Sequence, residues 1–378
     1  TLLYRTPTSP WSCVRKVIKE DFGKYPEELF DTIERDPIAS ASLAQVHIAY
    51  LNGEKVAVKV QHQHLLEESK NDMRAITIIV DLVSRIFEGF TYNWLSREMN
   101  TNLPLELDFL LEAKNLLKCR DDLQGLIQTG DLVIPSVYPA ATSKRVITMS
   151  FEDGTYVTDL PGIAKMKLKT SDISRLVSKT FCDQMYRHGF VHCDPHEGNI
   201  LVRPHAKHPN KPTIVLLDHG LYKQMSDEFR LDYCRLWRGI VLGDGEMIKT
   251  TCEHMKVGPA YTLLAAMLTM RPWDDIVAQD RNKLQQKNSK GESAMLKAYA
   301  RKYFKDIVQL LGRVDSELLL LLKTNDCLRH LDRKLGTPVN TTKIVASTTA
   351  SVLLEEELKS TGDTDSFSAV YNFIQLHI

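Results

Sequence analysis

The feature that most constrains the fold is a β-hairpin signal in the first half of the 378-residue chain. Residues 43–51 read LAQVHIAYL, residues 54–60 read EKVAVKV, and an Asn-Gly pair separates them. Asn-Gly between two β-rich runs is the strongest short-range signal for a hairpin. Alternation along the second strand puts its valines on one face and Ala57 and Lys59 on the other. The sequence therefore predicts a rigid strand that holds a lysine beside a small residue.

The rest of the chain has a mainly helical pattern. Apolar stripes predict one helix over 104–118, with Pro104 in its first turn, and another over 170–188, which Gly189 ends. Short strands follow at NILV and TIVLLD, and from Ser226 onward the pattern is mainly helical. A polar stretch over 278–293 is typical of a mobile loop.

The segment FVHCDPHEGNILV, residues 190–202, suggests a metal site at first sight. His188, His192 and His196 are spaced by four, a spacing that aligns three imidazoles only on a continuous helix. Gly189 and Pro195 both interrupt such a helix, and the chain contains no HExxH motif, whose glutamate would serve as base. The pattern therefore disfavours zinc, and His188 is more simply explained as a last-turn histidine favoured by the helix dipole.

The same region contains a set of side chains suited to phosphoryl transfer. Asp194 is followed five positions later by Asn199, and Asp218 ends the next apolar strand. Phosphoryl transfer needs one carboxylate to orient or deprotonate the acceptor, and an amide and a second carboxylate to hold Mg²⁺. Lys59 on its strand can neutralise phosphate charge, and Glu112 on a helix can pair with it.

Each of these patterns is common by itself. A VAVK strand usually carries a solvated lysine, ASAS is most often a small-residue turn, and Asp-x4-Asn occurs in many loops. Their order is more specific, because it is that of a kinase core: small-residue loop, strand lysine, helix glutamate, hinge, Asp-x4-Asn, strand-Asp-x-Gly.

This order predicts an α+β, bilobal protein kinase-like fold, with a small antiparallel-sheet N-lobe carrying extra helices and a mainly helical C-lobe. We expect an N-terminal extension over 1–36, an N-lobe over 37–153, a C-lobe over 154–340 and a helical tail over 341–378. The chain starts at Thr1 rather than methionine, so we expect the extension to be truncated.

Composition limits the function classes. The 48 basic residues balance the 48 acidic ones, which disfavours nucleic acid as a partner. The 7 cysteines are scattered without a CxxC pair, which favours free thiols in a reducing compartment. No apolar run approaches the length of a membrane span.

The motifs resemble those of the aarF/UbiB-type atypical kinases, nearest to the mitochondrial aarF-domain-containing kinase 1 subgroup. PIASASLAQVH at 37–47 is similar to the family's alanine-rich loop over ATP, and VAVKVQH carries the ATP lysine. HCDPHEGN is similar to the family's HxDPHPGN catalytic loop, and LLDHG stands in place of the metal-binding DFG. LELDFLLEAKN at 105–115 matches the ExD element, and LLKTNDCLR at 321–329 resembles a late helix of the family.

The resemblance implies Mg²⁺-ATP between the two lobes and a role for each matched residue. The nucleotide would contact Ala39, Ser40, Ala41, Ser42, Ala57, Lys59, Met149 and Phe151; Asn199 and Asp218 would hold Mg²⁺; Asp194, Lys59 and Glu112 would be catalytic; and Glu106, Asp108 and His192 would complete the motifs. His192 is expected to orient the loop backbone rather than act as a base. The family's KxGQ motif does not occur in the chain, Glu197 stands where the family has proline, and Ser150 stands where a hinge glutamate is common.

The leading hypothesis is an ATP-dependent kinase or ATPase that supports mitochondrial membrane, lipid or quinone homeostasis, with compartment and process implied by the resemblance alone. The acceptor is open between a small molecule, a lipid and a protein, and membrane association is possible. The short stretch between Gly220 and Ser226 has no room for a long activation segment, which disfavours peptide docking. Two alternatives stay open: a nucleotide-binding pseudokinase scaffold, and a small-molecule phosphotransferase of the aminoglycoside/choline kinase type.

Overall fold

The structure is a computed structural model that describes residues 8–63, 65–86, 93–278 and 304–361. The chain divides into two compact units. The first comprises residues 1–166 and 197–221, and the second comprises residues 167–196 and 222–378. The domain boundaries expected from the sequence stay a prediction, and the predicted polar loop lies outside the described residues from residue 279 on.

The first unit contains a five-stranded antiparallel sheet. The strands run in the order β1-β3-β4-β6, and β2 pairs with β3. Their bounds are β1 Thr32–Ile33, β2 Ala39–Ser40, β3 Ala44–Leu51, β4 Glu54–Gln61 and β6 Val146–Ser150. One face of β4 carries Val56, Val58 and Val60, all fully buried in a core that also includes the helix side chains Val17 and Ile18.

The predicted hairpin is confirmed. Strands β3 and β4 pair in antiparallel register from Ala44↔Gln61 to Leu51↔Glu54. Between them Asn52 and Gly53 both have positive φ, 53° and 79°, as a type I′ turn requires. The turn therefore fixes the register, and the register places Lys59 on the face opposite the buried valines.

Seven helices of the first unit are described. They are α1 Trp11–Phe22, α2 Pro26–Leu29, α3 Leu65–Ile86, α4 Asn93–Glu106, α5 Phe109–Asp122, α6 Gln124–Thr129 and α7 Leu160–Lys165. The prediction of one helix over 104–118 with Pro104 in its first turn is wrong, since Pro104 lies inside α4 and the chain breaks before α5. Asp108 caps α5, because its Oδ1 accepts from the backbone N–H of Leu110 at 3.1 Å.

A second sheet in the first unit supports the segment that ends at Asp218. Its strands run in the order β5-β10-β9-β7, with bounds β5 Leu132–Val133, β7 Thr155–Tyr156, β9 Ile200–Pro204 and β10 Pro212–Leu216. Strands β9 and β10 are the predicted NILV and TIVLLD strands, paired antiparallel from Pro212↔Pro204 to Leu216↔Ile200. All five residues of β10 are buried, which explains its continuous apolar sequence.

The second unit is mainly helical. Its described helices are α8 Thr170–Cys182, α9 Asp227–Leu242, α10 Gly245–His254, α11 Tyr261–Thr269, α12 Trp273–Val277, α13 Phe304–Arg313, α14 Ser316–Lys334 and α15 Thr341–Thr361. A short two-stranded pair joins β8 Phe190–His192 to β11 Tyr222–Gln224. None of the helices in the described residues combines the length and the apolar character that spanning a bilayer requires.

Two helix ends in this unit follow the sequence signals. The predicted helix over 170–188 is α8 followed by a π-helical turn, Asp183–His188, and Gly189 ends it with a φ of 65°. Ser226 caps α9 through a 3.2 Å hydrogen bond that the N–H of Phe229 donates to its hydroxyl. An antiparallel sheet in the first unit and a helical second unit confirm the predicted α+β class.

Candidate functional site

A partly buried three-residue ion cluster lies at the centre of the first unit's candidate site. The Lys59 ammonium donates to both carboxylate oxygens of Glu112, each at 2.9 Å, and to Oδ2 of Asp218 at 2.8 Å. The Glu112 side chain is only 2% exposed, whereas that of Asp218 is 35% exposed. The Lys59 ammonium therefore joins Glu112 and Asp218, which lie 53 and 159 positions after it in the chain.

Each member of this ion cluster is held by a rigid element. Lys59 is fixed by β4, and Glu112 stands in the first turn of α5. Helix α5 also holds the segment after β10, because the Asn115 side chain donates to the carbonyl of His219 at 3.0 Å. The N–H of His219 in turn donates to Oε1 of Glu112 at 3.4 Å. These bonds fix Asp218 relative to the lysine.

The electrostatics of the ion cluster follow from its burial and its excess of negative charge. Burial opposes the charged form of Lys59, but the carboxylates of Asp218 and Glu112 outweigh it, so the pKa of Lys59 lies above its ordinary value. Burial, and to a smaller degree the Asp218 charge, raise the pKa of Glu112 to about 7 against the opposing effect of the Lys59 charge. The ammonium is therefore stably charged, and Glu112 is the member that titrates near neutrality.

Asp218 and Asn199 occupy neighbouring positions at one end of the β9–β10 pair. Ile200 pairs with Leu216, and the N–H of Leu217 donates to the carbonyl of Asn199 at 2.9 Å. The side chain of Asp218 accepts a 2.9 Å hydrogen bond from the N–H of Gly220. The sequence-predicted metal residues are thus brought to one sheet edge.

This pair fits the chemistry of Mg²⁺. Carboxylate and amide oxygens are its usual protein ligands, and a nucleotide-bound Mg²⁺ takes most of its other ligands from phosphates and water. In the described part of the chain, no group of three or more His, Cys, Asp or Glu side chains is arranged to hold a metal. A Mg²⁺ ion here would be held by Asp218, Asn199 and the oxygens of a bound nucleotide.

The alanine-rich segment forms a tight connection beside β4. Ala39 and Ser40 make up β2, and the N–H of Ala41 donates to the carbonyl of Ala44 at 2.8 Å, which closes the turn around Ser42. Ala39, Ala41 and Ser42 are exposed. The turn therefore presents backbone and Cβ atoms to solvent, as a loop that covers a phosphate group must.

The residues expected around adenine lie on adjacent strands. Ala57 on β4 is paired with Met149 on β6. The N–H of Phe151 donates to the Lys55 carbonyl at 3.2 Å, and the Lys55 ammonium lies 3.7 Å from the centre of the Phe151 ring. Because that N–H is used inside the protein, contacts of this stretch with a base would involve other backbone groups.

The two residues of the predicted ExD element separate in the structure. Glu106 is the last residue of α4, and Asp108 caps α5 four residues before Glu112. The cap fixes the start of the helix that carries Glu112, which gives Asp108 a positioning role in the ion cluster.

The predicted catalytic loop residues His192 and Asp194 belong to the second unit. His192 is fully buried and stacks on Tyr222, with ring centres 5.1 Å apart. The backbone N–H of His192 donates to the Gln184 side chain at 3.0 Å, and the ring Nδ1 accepts from the backbone N–H of Asp194 at 3.3 Å. The imidazole thus orients the loop backbone, and the side chain of Asp194 is 37% exposed.

Sequence reasoning missed three contacts. Lys323 on α14 lies with its ammonium 3.0 Å from Oδ1 of Asp194, a pairing 129 positions apart that only the fold reveals. His62, just past the lysine strand, lies with Nε2 3.0 Å from the Ala41 carbonyl, so it steadies the alanine-rich turn. Glu197, the departure from the family's proline, accepts from the Thr158 hydroxyl at 3.0 Å. Lys323 falls in the LLKTNDCLR motif, His62 in VAVKVQH and Glu197 in HCDPHEGN, but none of these motifs specifies the contact.

Comparisons with known proteins show the family of the chain. Residues 1–252 match the ABC1 atypical kinase-like domain. A putative ABC1 protein of Arabidopsis thaliana is 39% identical over 94% of this chain and 68% of its own length. The AarF domain-containing protein kinase 1 of Mus musculus is 40% identical over 88% of this chain and 62% of its own length.

The structural comparison bears on the fold alone. A Mycobacterium tuberculosis protein solved in complex with erythromycin superposes with a TM-score of 0.62 at 18% identity, over 92% of this chain and 84% of its own. The chain spans between 62% and 68% of the lengths of the mouse and Arabidopsis relatives. The predicted kinase-like fold is confirmed, and this chain belongs to the ABC1 atypical kinase-like family, in which it is similar to the AarF domain-containing protein kinases 1.

Proposed function

We propose that the chain is a Mg²⁺-ATP-dependent phosphotransferase or ATPase. The observation that carries this proposal is the ion cluster of Lys59, Glu112 and Asp218 beside Asn199. A buried lysine held by a helix carboxylate, next to a carboxylate and an amide at one sheet edge, is the group that positions and neutralises nucleotide phosphates in kinases.

Each residue has a defined task in this reaction. Lys59, kept charged by its carboxylates, binds the α- and β-phosphates, and Glu112 holds Lys59 in place. Asp218 and Asn199 would hold Mg²⁺, which supplies charge neutralisation to the phosphate oxygens. Asp194 accepts the proton of the attacking hydroxyl while the hydroxyl oxygen forms a bond to the γ-phosphorus. The bond between that phosphorus and ADP breaks, and the electron pair of the broken bond leaves on ADP.

The acceptor is more consistent with a small molecule, a lipid headgroup or water than with an extended peptide. Residues 221–225 alone connect Gly220 to Ser226, the cap of α9, and three of these residues form β11. A regulated protein kinase needs a longer segment there to dock a peptide. On the basis of the resemblance to AarF kinases, we place the activity in mitochondria, in support of membrane lipid or quinone homeostasis.

A nucleotide-binding scaffold without turnover is a second candidate. The specific observation in its favour is that the Lys59 ammonium lies 2.8 Å from Oδ2 of Asp218, so this metal-binding candidate has a competing partner within the protein. A molecule that retained this contact with nucleotide bound would bind ATP without completing a metal site.

The test is thermal unfolding with and without Mg²⁺-ATP, for wild type and Asp218→Asn. Ligand at about 100 times its dissociation constant stabilises the folded state by roughly 2.7 kcal/mol. We expect this shift in wild type and in the control Asp121→Asn, an exposed aspartate at the end of α5, and a reduced shift in Asp218→Asn. No shift in wild type refutes both functions. Release of inorganic phosphate then separates the enzyme from the scaffold.

A further inference from the structure

The second unit contains an ion pair that the reaction described above does not use. Lys323 lies with Nζ 3.0 Å from Oδ1 of Asp194. Their side chains are 47% and 37% exposed, so as a simple surface pair it would contribute little to stability. Such a small contribution to stability does not explain why both partners are held in fixed positions by the fold.

The lysine is carried by a helix fixed on several sides. Helix α14 is tied to α9 by a 2.7 Å hydrogen bond that the Asn325 side chain donates to the hydroxyl of Tyr233. On the same helix Asp332 accepts from the hydroxyl of Ser174, a residue of α8, at 2.7 Å. The residues flanking Lys323 on the inner face, Leu321 and Thr324, are fully buried or nearly so. The backbone of Lys323 is therefore fixed relative to α8 and α9.

The backbone of Asp194 is also held in place. Its N–H is held by His192, which is itself fully buried and bonded to Gln184 at the end of the α8 segment. The titratable groups that face Asp194 within this unit are Lys323, His196 at 3.9 Å, and Cys327 one turn along α14. Of these, Lys323 is the permanent cation.

We propose that Lys323 is a second phosphate-binding lysine of the transfer reaction, acting beside Asp194 as Lys59 acts beside Glu112. This inference rests on the proposed function. A general base lies about 2.6–3.2 Å from the oxygen it deprotonates. An ammonium 3.0 Å from that base is therefore within about 6 Å of the attacking oxygen, and a flexible lysine stem brings it to the transferred phosphoryl oxygens.

The ammonium stabilises the negative charge that spreads over the phosphoryl oxygens as the bond to ADP breaks. Because the contact is made to the transferred group, its loss is expected to lower kcat far more than it raises the KM for ATP.

The experiment measures phosphate release from Mg²⁺-ATP for wild type, Lys323→Met and Lys323→Arg. The control is Lys256→Met, which removes another lysine of this unit that pairs with an aspartate, Asp315, at 3.5 Å. We expect Lys323→Met to lower kcat by about 10²–10³-fold with little change in KM. Arginine, which keeps the charge, should restore part of the rate, and the control should behave as wild type.

A second readout separates a chemical role from a structural one. A loss confined to kcat, with partial rescue by arginine, indicates a chemical role, because a misplaced loop would not recover with the charge-conserving variant. Unfolding temperature with Mg²⁺-ADP should stay within a few degrees of wild type, which shows that the variant folds and binds nucleotide.

The outcomes are distinguishable. An active wild type, with Lys323→Met equal to Lys256→Met in rate, overturns this inference and leaves the proposed function standing. A wild type that neither binds Mg²⁺-ATP nor releases phosphate overturns both. A loss of rate in Lys323→Met without rescue by arginine, or with an equal rise in the KM for ATP, assigns Lys323 to folding of the loop, and also overturns the inference.

Discussion

Replacing Lys59 by methionine tests the electrostatic description of the ion cluster without any ligand. The change leaves Glu112, 2% exposed, beside Asp218 with no cation. A carboxyl whose pKa is higher in the folded state than in the unfolded state binds more protons when folded, so stability falls as pH rises between the two values. In wild type this interval runs from the ordinary 4.5 to about 7. Above about pH 7, the ionisation of Glu112 no longer changes the free energy of unfolding with pH.

In Lys59→Met the pKa of Glu112 rises further, because the charge that opposed the rise is gone. The pH range over which the free energy of unfolding falls then extends above pH 7, and within it this free energy falls by about 1.4 kcal/mol per pH unit. The difference in unfolding free energy between variant and wild type should therefore grow by about 2.7 kcal/mol from pH 7 to pH 9. At the upper end the total cost should reach about 3–5 kcal/mol, the usual loss when one member of a buried ion pair is removed.

The assay is urea unfolding at half-unit steps of pH, since the linear extrapolation gives the free energy directly. Lys55→Met, an exposed lysine on the same strand, is the matched control and should show no added slope. The double variant Lys59→Met, Glu112→Gln lacks the titrating carboxyl and should lose the slope. Parallel profiles for wild type and Lys59→Met above pH 7 would refute the reasoning.

Two further predictions concern the residues around the site. Asp108→Ala should lower the free energy of unfolding by about 1 kcal/mol through loss of the α5 cap, and Asp108→Asn should retain most of the stability of wild type. If Asp108→Asn kept that stability but lost the stabilisation by Mg²⁺-ATP, Asp108 would have a role beyond capping the helix. Cys193, fully buried with its pKa raised by burial to about 12, should resist iodoacetamide at pH 8 while the half-buried Cys13 reacts, as followed by peptide mass spectrometry; equal rates would mean that the catalytic loop opens readily.

The parts of the fold that sequence predicted correctly are those determined by local rules. The Asn52-Gly53 turn adopts positive φ at both positions because few other residue pairs tolerate it, and the turn alone sets the register that orients Lys59. Ser226 caps α9 for an equally local reason, because its hydroxyl satisfies an N–H within the first turn. Such signals need no knowledge of the rest of the chain.

The errors and omissions are tertiary in origin. The apolar stripe over 104–118 is compatible with one helix, but the chain breaks at Leu107, a nearly fully buried residue, and Asp108 then starts a new helix. The Lys323–Asp194 pair could not be predicted either, since nothing near Asp194 in sequence specifies which later helix faces it. Periodicity predicts which face of an element is buried, and it does not say against which partner.

The unequal burial of the two carboxylates decides how the ion cluster would respond to a nucleotide. Breaking the contact of Lys59 with Glu112 strands a nearly fully buried charge, which costs several kcal/mol, whereas Asp218 is one-third exposed, so water or a metal can solvate its carboxylate when its contact with Lys59 breaks. Binding that needs Asp218 for a metal and Lys59 for phosphate can therefore exchange the more exposed contact and keep the buried one. Lys59 stays anchored to α5 through Glu112, and only Asp218 changes its partner, which is why a protein in which Lys59 contacts both carboxylates is compatible with turnover.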